Sequence, residues 1–239
     1  TITVLAGDCP VELTTFRGEG GYADGRHPDT VTFGVTLQQD LSRRDFTIGA
    51  MAWDTEKNCL IDPFGGQRDL QNRLLRAMGD PDRRFAEDGL RILRGLRFAA
   101  ELGFAVEPET AAALRRNAPR LQSLSPERVR TELQKLICGR AAAPVLREYI
   151  EVIGVVLPEL LPMVGFAQNN PHHNRDVWEH TLPVLENIPA EPVLRWAALL
   201  HDAGKPACCT VDAEGIRHFH GHQQKSAETA EAMLRRLHC

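Results

Sequence analysis

Nothing in this 239-residue sequence marks it for a membrane or for export. The opening residues, Thr1-Ile2-Thr3-Val4-Leu5, already alternate as a strand does and read as fold, not as signal peptide. The longest apolar stretches, such as residues 193–200, fall far short of the roughly 20 residues a bilayer crossing needs. That stretch is also interrupted by Arg195. The six cysteines include no C-x-x-C pair, and a bridge between the vicinal Cys208 and Cys209 would close a strained ring. Reduced thiols in a cytoplasmic protein are the expectation. There is no excess of basic charge: 28 Lys and Arg stand against 32 Asp and Glu, a formal −4. That sum does not demand nucleic acid, although an average can hide a local basic face. No internal repeat or low-complexity tract occurs. No initiating Met is present, and the sequence stops at Cys239 inside a helical pattern, so both ends read as cut.

What is present is ordinary globular composition, 43% hydrophobic and 25% charged. The length allows one large domain or two to three small ones. The first sixty residues read as strand and loop. Segments 2–5 and 11–16 alternate, 18–28 is a glycine-rich charged loop, 45–53 suggests a short helix, and 58–62 suggests a strand ending at Pro63. Gly65-Gly66 is a turn or hinge signal. From Arg68 helical periodicity takes over. Pro81 begins a helix expected to run to about Leu102, and Ser125-Pro126-Glu127 is a helix start with a capping Ser. A proline-spaced stretch at 157–162 precedes a boundary between Gly165 and Pro171.

Within the helix from Pro81, Glu87, Arg91 and Arg94 fall on one face, with Asp88 at its edge. Phe85, Ile92, Leu96 and Ala99 form the opposite stripe. Guanidinium forks bind phosphate oxygens, and a fixed Asp–Arg pair can read a base edge. Taken alone, the same face also reads as solvated i,i+3 and i,i+4 ion pairs worth a few tenths of a kcal/mol each. Arg43-Arg44-Asp45 precedes the expected short helix, where Asp45 either caps the helix or hydrogen-bonds a ribose hydroxyl.

The ordered set R-R-D-F-T-I, D-P-F-G-G, R-F-A-E-D-G-L-R-I-L-R-G-L-R-F and S-P-E-R-V-R-T-E-L resembles the bacterial CCA-adding tRNA nucleotidyltransferase and poly(A) polymerase family, over roughly residues 1–161. The resemblance implies that Arg43, Arg44 and Asp45 contact sugar and triphosphate. It implies that Glu87, Asp88 and Arg91 template CTP and ATP, with Arg94 and Arg97 in support. Two departures stand out. The G-G-x-V-R-D loop followed by a D-x-D pair, which in that family holds Mg²⁺, is not found. The front of the head therefore reads as missing, and the fragment as unable to transfer nucleotides unaided. Glu12 and Asp40 are unassigned candidates for a further head carboxylate. Gly49 stands where the family usually has Asn.

The last third is rich in histidine: His172, His173, His180, His201, His218, His220 and His222. His201-Asp202 offers adjacent nitrogen and oxygen ligands after an apolar helix, and Ala203-Gly204 allows close approach. His220 and His222 alternate and would point the same way in an extended chain. The pattern His180…His201-Asp202-Ala203-Gly204-Lys205 resembles the HD superfamily of metal-dependent phosphohydrolases. The resemblance implies that His180, His201 and Asp202 hold a divalent transition metal; the last Asp of that motif usually lies farther along than this sequence reaches, so either it is cut off or His222 helps instead.

The expected fold is α+β and mostly α. A truncated nucleotidyltransferase head (1–63) leads into a helical templating and RNA-binding region (64–165) and a partial all-α HD domain (168–239). The expected function is addition of CTP and ATP to tRNA 3′ ends, with tRNA, CTP and ATP as partners and no membrane. Arg115, Arg116, Arg120, Arg128, Arg130 and Lys135 are candidates to grip the tRNA backbone. The alternatives are an A-only polymerase, an HD-type phosphohydrolase of nucleotides or RNA ends, and a pure RNA-binding module.

Overall fold

The computed structural model describes residues 2–22, 29–169 and 175–239. His172, His173 and positions 23–28 of the glycine-rich loop lie outside the described residues.

Hairpins build the first part. β1 (Ile2–Ala6) pairs antiparallel with β2 (Cys9–Leu13), and β3 (Arg17–Gly20) with β4 (Thr30–Phe33). Thr36 and Gln39 satisfy each other's backbone in a capping box that starts α1 (Leu37–Ser42). β5 (Ala52–Asp54) and β6 (Cys59–Ile61) form a third hairpin. The short helix expected at 45–53 is instead a single 3-10 turn, Thr47–Gly49, followed by β5. The reason is local: the backbone at Asp45–Thr47 is spent on a neighbouring segment. Met78 N–H donates to Asp45 O, and Thr47 N–H donates to Arg76 O.

α2 (Gly66–Gln71) begins where the Asp62 carboxylate accepts from the Gly66 and Gln67 amides, at 2.7 and 2.9 Å. A Cβ on Gly66 would lie 2.2 Å from Thr47 O. The glycine therefore serves close packing of α2 on the 3-10 turn, and Gly65, at φ 75°, supplies the left-handed turn into it. β7 (Leu74–Leu75) runs parallel to β8 (Ala105–Val106).

The helical part follows. α3 (Pro81–Glu87) starts with Pro81 at its first position and the Asp80 carboxylate on the Asp82 and Arg83 amides. It does not continue to Leu102. Asp88 takes an extended conformation (φ −149°, ψ 110°), its carboxylate accepts from Leu90 N–H at 3.0 Å, and a new helix begins, α4 (Leu90–Leu102). Gly89, the weakest helix former in the run, sits at the break. The apolar stripe is as expected, with Phe85, Ile92, Leu96 and Ala99 at 1% exposure or less. Burial of each of the three larger side chains contributes about 2 kcal/mol.

α6 (Pro126–Ile137) and α7 (Ala142–Glu148) pack on α4, which lies along α6, while α5 (Pro108–Asn117) packs on α3 and touches α8 (Ile150–Ile153). Ser125 precedes α6 as expected, but its hydroxyl makes no cap hydrogen bond; Pro126 and the extended Ser125 backbone set the start. α9 (Val177–Glu186) is capped by Asp176, α10 (Pro192–Leu200) starts on its proline, and the hairpin β9 (Thr210–Val211) and β10 (Arg217–His218) leads to α11 (His222–Arg236). His222 opens a helix, so it does not alternate with His220 along a strand. Among the described residues, each sheet has two strands. One continuous core runs from Phe46 to Leu237, while β1 and β2 are exposed along their length.

Candidate nucleotide cleft and histidine cluster

A cleft of about 280 Å³ lies where three elements meet: Arg44 and Asp45 after α1, Asp88, Leu90, Arg91 and Arg94 at the α3–α4 break, and Arg128 on the first turn of α6. Four guanidiniums and two carboxylates line it, a fixed excess of positive charge suited to an anionic ligand. Each group is held by a partner of its own. Arg94 places Nε and Nη2 on Asp45 Oδ2 at 2.7 and 2.6 Å, while Asp45 Oδ1 accepts from Phe46 N–H. Arg91 is fixed by Glu87 at 2.6 Å and by the Arg84 carbonyl. Asp88 Oδ2 accepts from Arg128 at 2.9 Å. The i,i+3 pairing of Asp88 with Arg91 does not form, because the helix breaks between α3 and α4. Both side chains nevertheless line the cleft, one offering an acceptor and the other donors.

Of the eight residues read from sequence as nucleotide-binding, five line the cleft: Arg44, Asp45, Asp88, Arg91 and Arg94. Glu87 stands behind them and orients Arg91 and Arg84. Arg43 is engaged by Asp40, Glu19 and the Arg17 carbonyl. Arg97 turns the other way. It is 8% exposed, pairs with Glu132 at 2.7 Å and Glu101 at 2.8 Å, and lies over the Phe98 ring, bracing α4 against α6. Support of a triphosphate by Arg97 is therefore corrected: its position on α4 points it into the helix interface.

Asp40 does not face the cleft either. Burial would push its carboxyl up, but hydrogen bonds from Arg43 and the Arg17 amide, with Arg44 nearby, hold it below the usual carboxylate range. Beside it, burial and contact with Glu19 push the Tyr22 hydroxyl up to about 12. Glu12 is exposed on β2. The one D-x-D spelling in the chain, Asp80-Pro81-Asp82, is structural: Asp80 caps α3, and Asp82 is held by Arg116 and Asn117. Arg128 was read as a backbone grip, yet it belongs to the cleft. Arg115, Arg116, Arg120 and Arg130 are likewise engaged within the chain, by Glu151, Asp82, Asn117 and the His238 carbonyl.

The second constellation gathers around Asp202, which is 2% exposed. His180 from α9, His201 after α10 and His222 at the start of α11 bring their Nε2 atoms to 3.8, 3.1 and 3.6 Å from its carboxylate oxygens. His180, His201 and Asp202 form a group compact enough to share one ion. His201 Nδ1 meets Ala198 O at 2.8 Å and His222 Nδ1 meets Phe219 O at 2.7 Å. A carbonyl only accepts, so each Nδ1 carries a proton, and Nε2 is the nitrogen left facing the carboxylate, able to take a metal once it is without a proton of its own. That is the tautomer a metal-binding histidine needs. Asp202 Oδ2 is buried, and the cations around it do not approach along hydrogen-bonding directions. These residues fit a divalent ion with nitrogen and oxygen ligands.

Gly204 permits the assembly, because a Cβ there would lie 2.6 Å from His222 O. Burial would raise the Asp202 carboxyl, but His201 and Lys205 hold it far below its ordinary value. Burial would lower His201, but Asp202 and the Ala198 carbonyl hold it up. Sequence reasoning missed Lys205, which lies 2.8 Å from Asp202 Oδ2 and 2.9 Å from Gln168 Oε1. His218 stands apart, paired with Asp212 and stacked on His220.

Comparison with known proteins follows the same division. Residues 1–76 match the family described as Poly A polymerase head domain, and residues 103–163 the family described as probable RNA and SrmB-binding site of polymerase A. The chain is 46% identical over 146 residues to the CCA-adding enzyme of Geobacillus thermodenitrificans (strain NG80-2), covering 61% of this chain and 36% of that one. It is 37% identical over 203 residues to the CCA-adding enzyme of Lactobacillus helveticus (strain DPC 4571), covering 82% and 50%. Among solved structures, the Bacillus stearothermophilus CCA-adding enzyme in complex with CTP aligns over 99% of this chain and 53% of its own, with TM-score 0.63 and 32% identity.

The chain belongs to the bacterial CCA-adding enzyme and poly(A) polymerase family.

It spans between a third and half the length of these curated relatives. Within this family member, Arg44 and Asp45 lie in the head match and Arg128 in the RNA-binding match, while Asp88, Arg91 and Arg94 fall between the two. The histidine cluster lies beyond both. No helix among the described residues is long and apolar enough to cross a membrane.

Proposed function

We propose that this chain serves template-independent addition of CTP and ATP to tRNA 3′ ends. The carrying observation is the cleft, in which Arg44, Arg91, Arg94 and Arg128 converge with Asp45 and Asp88 from three separate elements. Arg44 and Arg94 bind the triphosphate, Asp45 takes the ribose hydroxyl, and Asp88 with Arg91 presents acceptor and donor edges to the base. Glu87 keeps Arg91 in register. Residues 1–63 act as head, 64–165 as templating and RNA-binding body, and 168–239 as an HD-type unit. Divalent metal, generally Mg²⁺, neutralises charge and activates the primer hydroxyl in such transfer. The cleft carboxylates do not fit that role, since Asp45 is committed to Arg94 and Asp88 to Arg128. No metal-dependent step is assigned to them.

The test is equilibrium binding of the four nucleoside triphosphates to the chain, followed by Asp88→Ala and Arg91→Ala. CTP and ATP should bind more tightly than GTP and UTP, and either substitution should remove the preference. Equal binding of all four by the unaltered chain would overturn base reading. Extension of a tRNA lacking its CCA end, by the chain joined to a head front that carries the G-G-x-V-R-D loop and D-x-D pair, then separates activities: two additions with CTP and a third with ATP mark CCA addition, and a ladder with ATP alone marks an A-only polymerase.

A second reading has its own observation, the convergence of three imidazole nitrogens on Asp202. His180, His201, Asp202 and His222 hold a divalent transition metal, which in HD-type units supplies an activated water for hydrolysis of phosphate esters of nucleotides or RNA ends. Retention of phosphohydrolase activity by His201→Ala would remove it.

A further inference from the structure

Lys205 is 5% exposed, and its ammonium has nowhere to withdraw. Nζ sits between Asp202 Oδ2 at 2.8 Å and Gln168 Oε1 at 2.9 Å, with the Phe219 ring centroid 5.6 Å away. Gln168 is 1% exposed and fixed in turn, its Nε2 donating to the Arg175 carbonyl at 3.2 Å. Asp202 is the one carboxylate in this buried cluster, and a buried carboxylate without a cation is strongly destabilising. Of the nitrogens around Asp202, Lys205 Nζ makes the shortest approach, 2.8 Å against 3.1 Å or more for the histidines.

We infer that Lys205 is a positioning residue that acts as the resident counter-ion of Asp202, keeping the site assembled without metal and setting how weakly the site takes a divalent ion. The inference rests on the reading of His180, His201 and Asp202 as a metal centre. Two functions follow from one contact. Without metal, the ammonium compensates the carboxylate and fixes its rotamer. Gln168 and the surrounding burial would hold the ammonium against Asp202 when the carboxylate also served a divalent ion. Two cations that share one carboxylate would repel strongly even at the effective dielectric of a protein. Lys205 therefore trades metal affinity for integrity of the metal-free protein, and Gln168 ties that balance to the segment that follows the helical body.

The test uses Lys205→Gln and Lys205→Met in the whole chain, with Mn²⁺ as probe, read by thermal unfolding and calorimetric titration. Gln keeps a donor for Asp202 but not the charge; Met keeps neither. In EDTA, both variants should unfold several degrees below the unaltered protein, Met more than Gln. In saturating Mn²⁺ both should recover most of that loss, and their Mn²⁺ dissociation constants should fall by about tenfold or more. A purely structural lysine would lower the unfolding temperature with no gain in Mn²⁺ affinity. Should Lys205→Met not fold, Lys205→Gln alone decides the matter. Mn²⁺ binding to Lys205→Gln that is no tighter than to the unaltered protein overturns the inference and leaves the metal centre standing. Absence of Mn²⁺ binding in all three folded proteins overturns the metal centre itself.

Discussion

The arginine cleft and the histidine cluster gather charge in opposite ways. In the cleft the cations outnumber the carboxylates, and each lining carboxylate is already matched with an arginine: Asp45 with Arg94, Asp88 with Arg128. The carboxylates that match Arg44 and Arg91, Asp40 and Glu87, stand outside the lining, so the wall itself carries more arginines than carboxylates and is partly open to water, with Arg44 at 43% side-chain exposure. In the cluster one buried carboxylate is shared by a lysine ammonium and the Nε2 atoms of three histidines. The first arrangement is built to receive an anion whose charge replaces water. The second is built to receive a cation in the middle of ligands. The comparison teaches that the composition of a charge cluster matters less than which groups face the open space and which of their partners stand behind it.

The largest expected effect tests the brace behind the cleft. Arg97→Met leaves Glu132, at 6% exposure, as a buried carboxylate without its cation. A loss of about 3 kcal/mol is expected, measured by denaturant unfolding, because breaking one side of a buried pair is far costlier than replacing both. The double variant Arg97→Met, Glu132→Leu should recover much of that. A single variant as stable as the unaltered chain would show that α4 and α6 are held by their apolar stripe alone.

The next test separates the two sites. Arg94→Ala removes the partner of Asp45 and one phosphate-binding fork. It should weaken CTP binding by about tenfold, in line with loss of one charge-assisted contact, while leaving the Mn²⁺ response of the cluster unchanged. His201→Ala should do the reverse, abolishing the Mn²⁺ shift in unfolding temperature and sparing CTP. If either variant moved both readouts, the two sites would be coupled through the shared core and could not be treated as independent.

Those tests bear on residues that were unequally legible. The apolar stripe Phe85, Ile92, Leu96 and Ala99 was readable because helical periodicity survives the break at Asp88, which falls at a turn boundary. The break itself was written in Asp88-Gly89, an acceptor able to cap the next amide followed by the residue least suited to a helix, but the strong periodicity on both sides masked it. Arg97 shares its spacing with Arg91 and Arg94. Only the approach of α6, brought by tertiary packing, shows that it points at Glu132. That His180, His201 and His222 gather at Asp202 was anticipated from the resemblance of His180…His201-Asp202 to the HD pattern. Lys205 and Gln168 were not, since nothing in a lysine's local sequence says that its ammonium will be buried.

A smaller effect concerns acid. The folded-state pKa of Asp40 is depressed, so its stabilisation is fully present above the ordinary carboxylate range. It is lost as pH falls through the depressed folded value. Unfolding followed downward from neutral pH should therefore show an acid limb that Asp40→Asn flattens, with lower stability of the variant at neutral pH. At neutral pH the substitution should leave the cluster's metal response unchanged. An acid limb unchanged by Asp40→Asn would place the sensitivity elsewhere, with Glu107 the next candidate. Burial would raise its carboxyl, but the backbone and side chain of Thr110 hold it low.

The smallest expected effect is at Gly49, in the 3-10 turn that follows Asp45. A Cβ there would meet only Asp45 Oδ1, at 3.9 Å, and the glycine φ is not in the left-handed region. Gly49→Asn should thus fold without strain and gain up to about 0.5–1 kcal/mol from the restricted unfolded chain. Its amide would lie close enough to Asp45 to compete with Phe46 N–H for Oδ1. A donor there leaves the Asp45–Arg94 contact on Oδ2 intact while making the carboxylate less free to accept from a ribose or better fixed to do so. CTP affinity that rises with the substitution favours the second, and the glycine then marks a deliberately loose ribose contact. Affinity that falls favours the first, and shows that the open side of Asp45 is part of the nucleotide's own space.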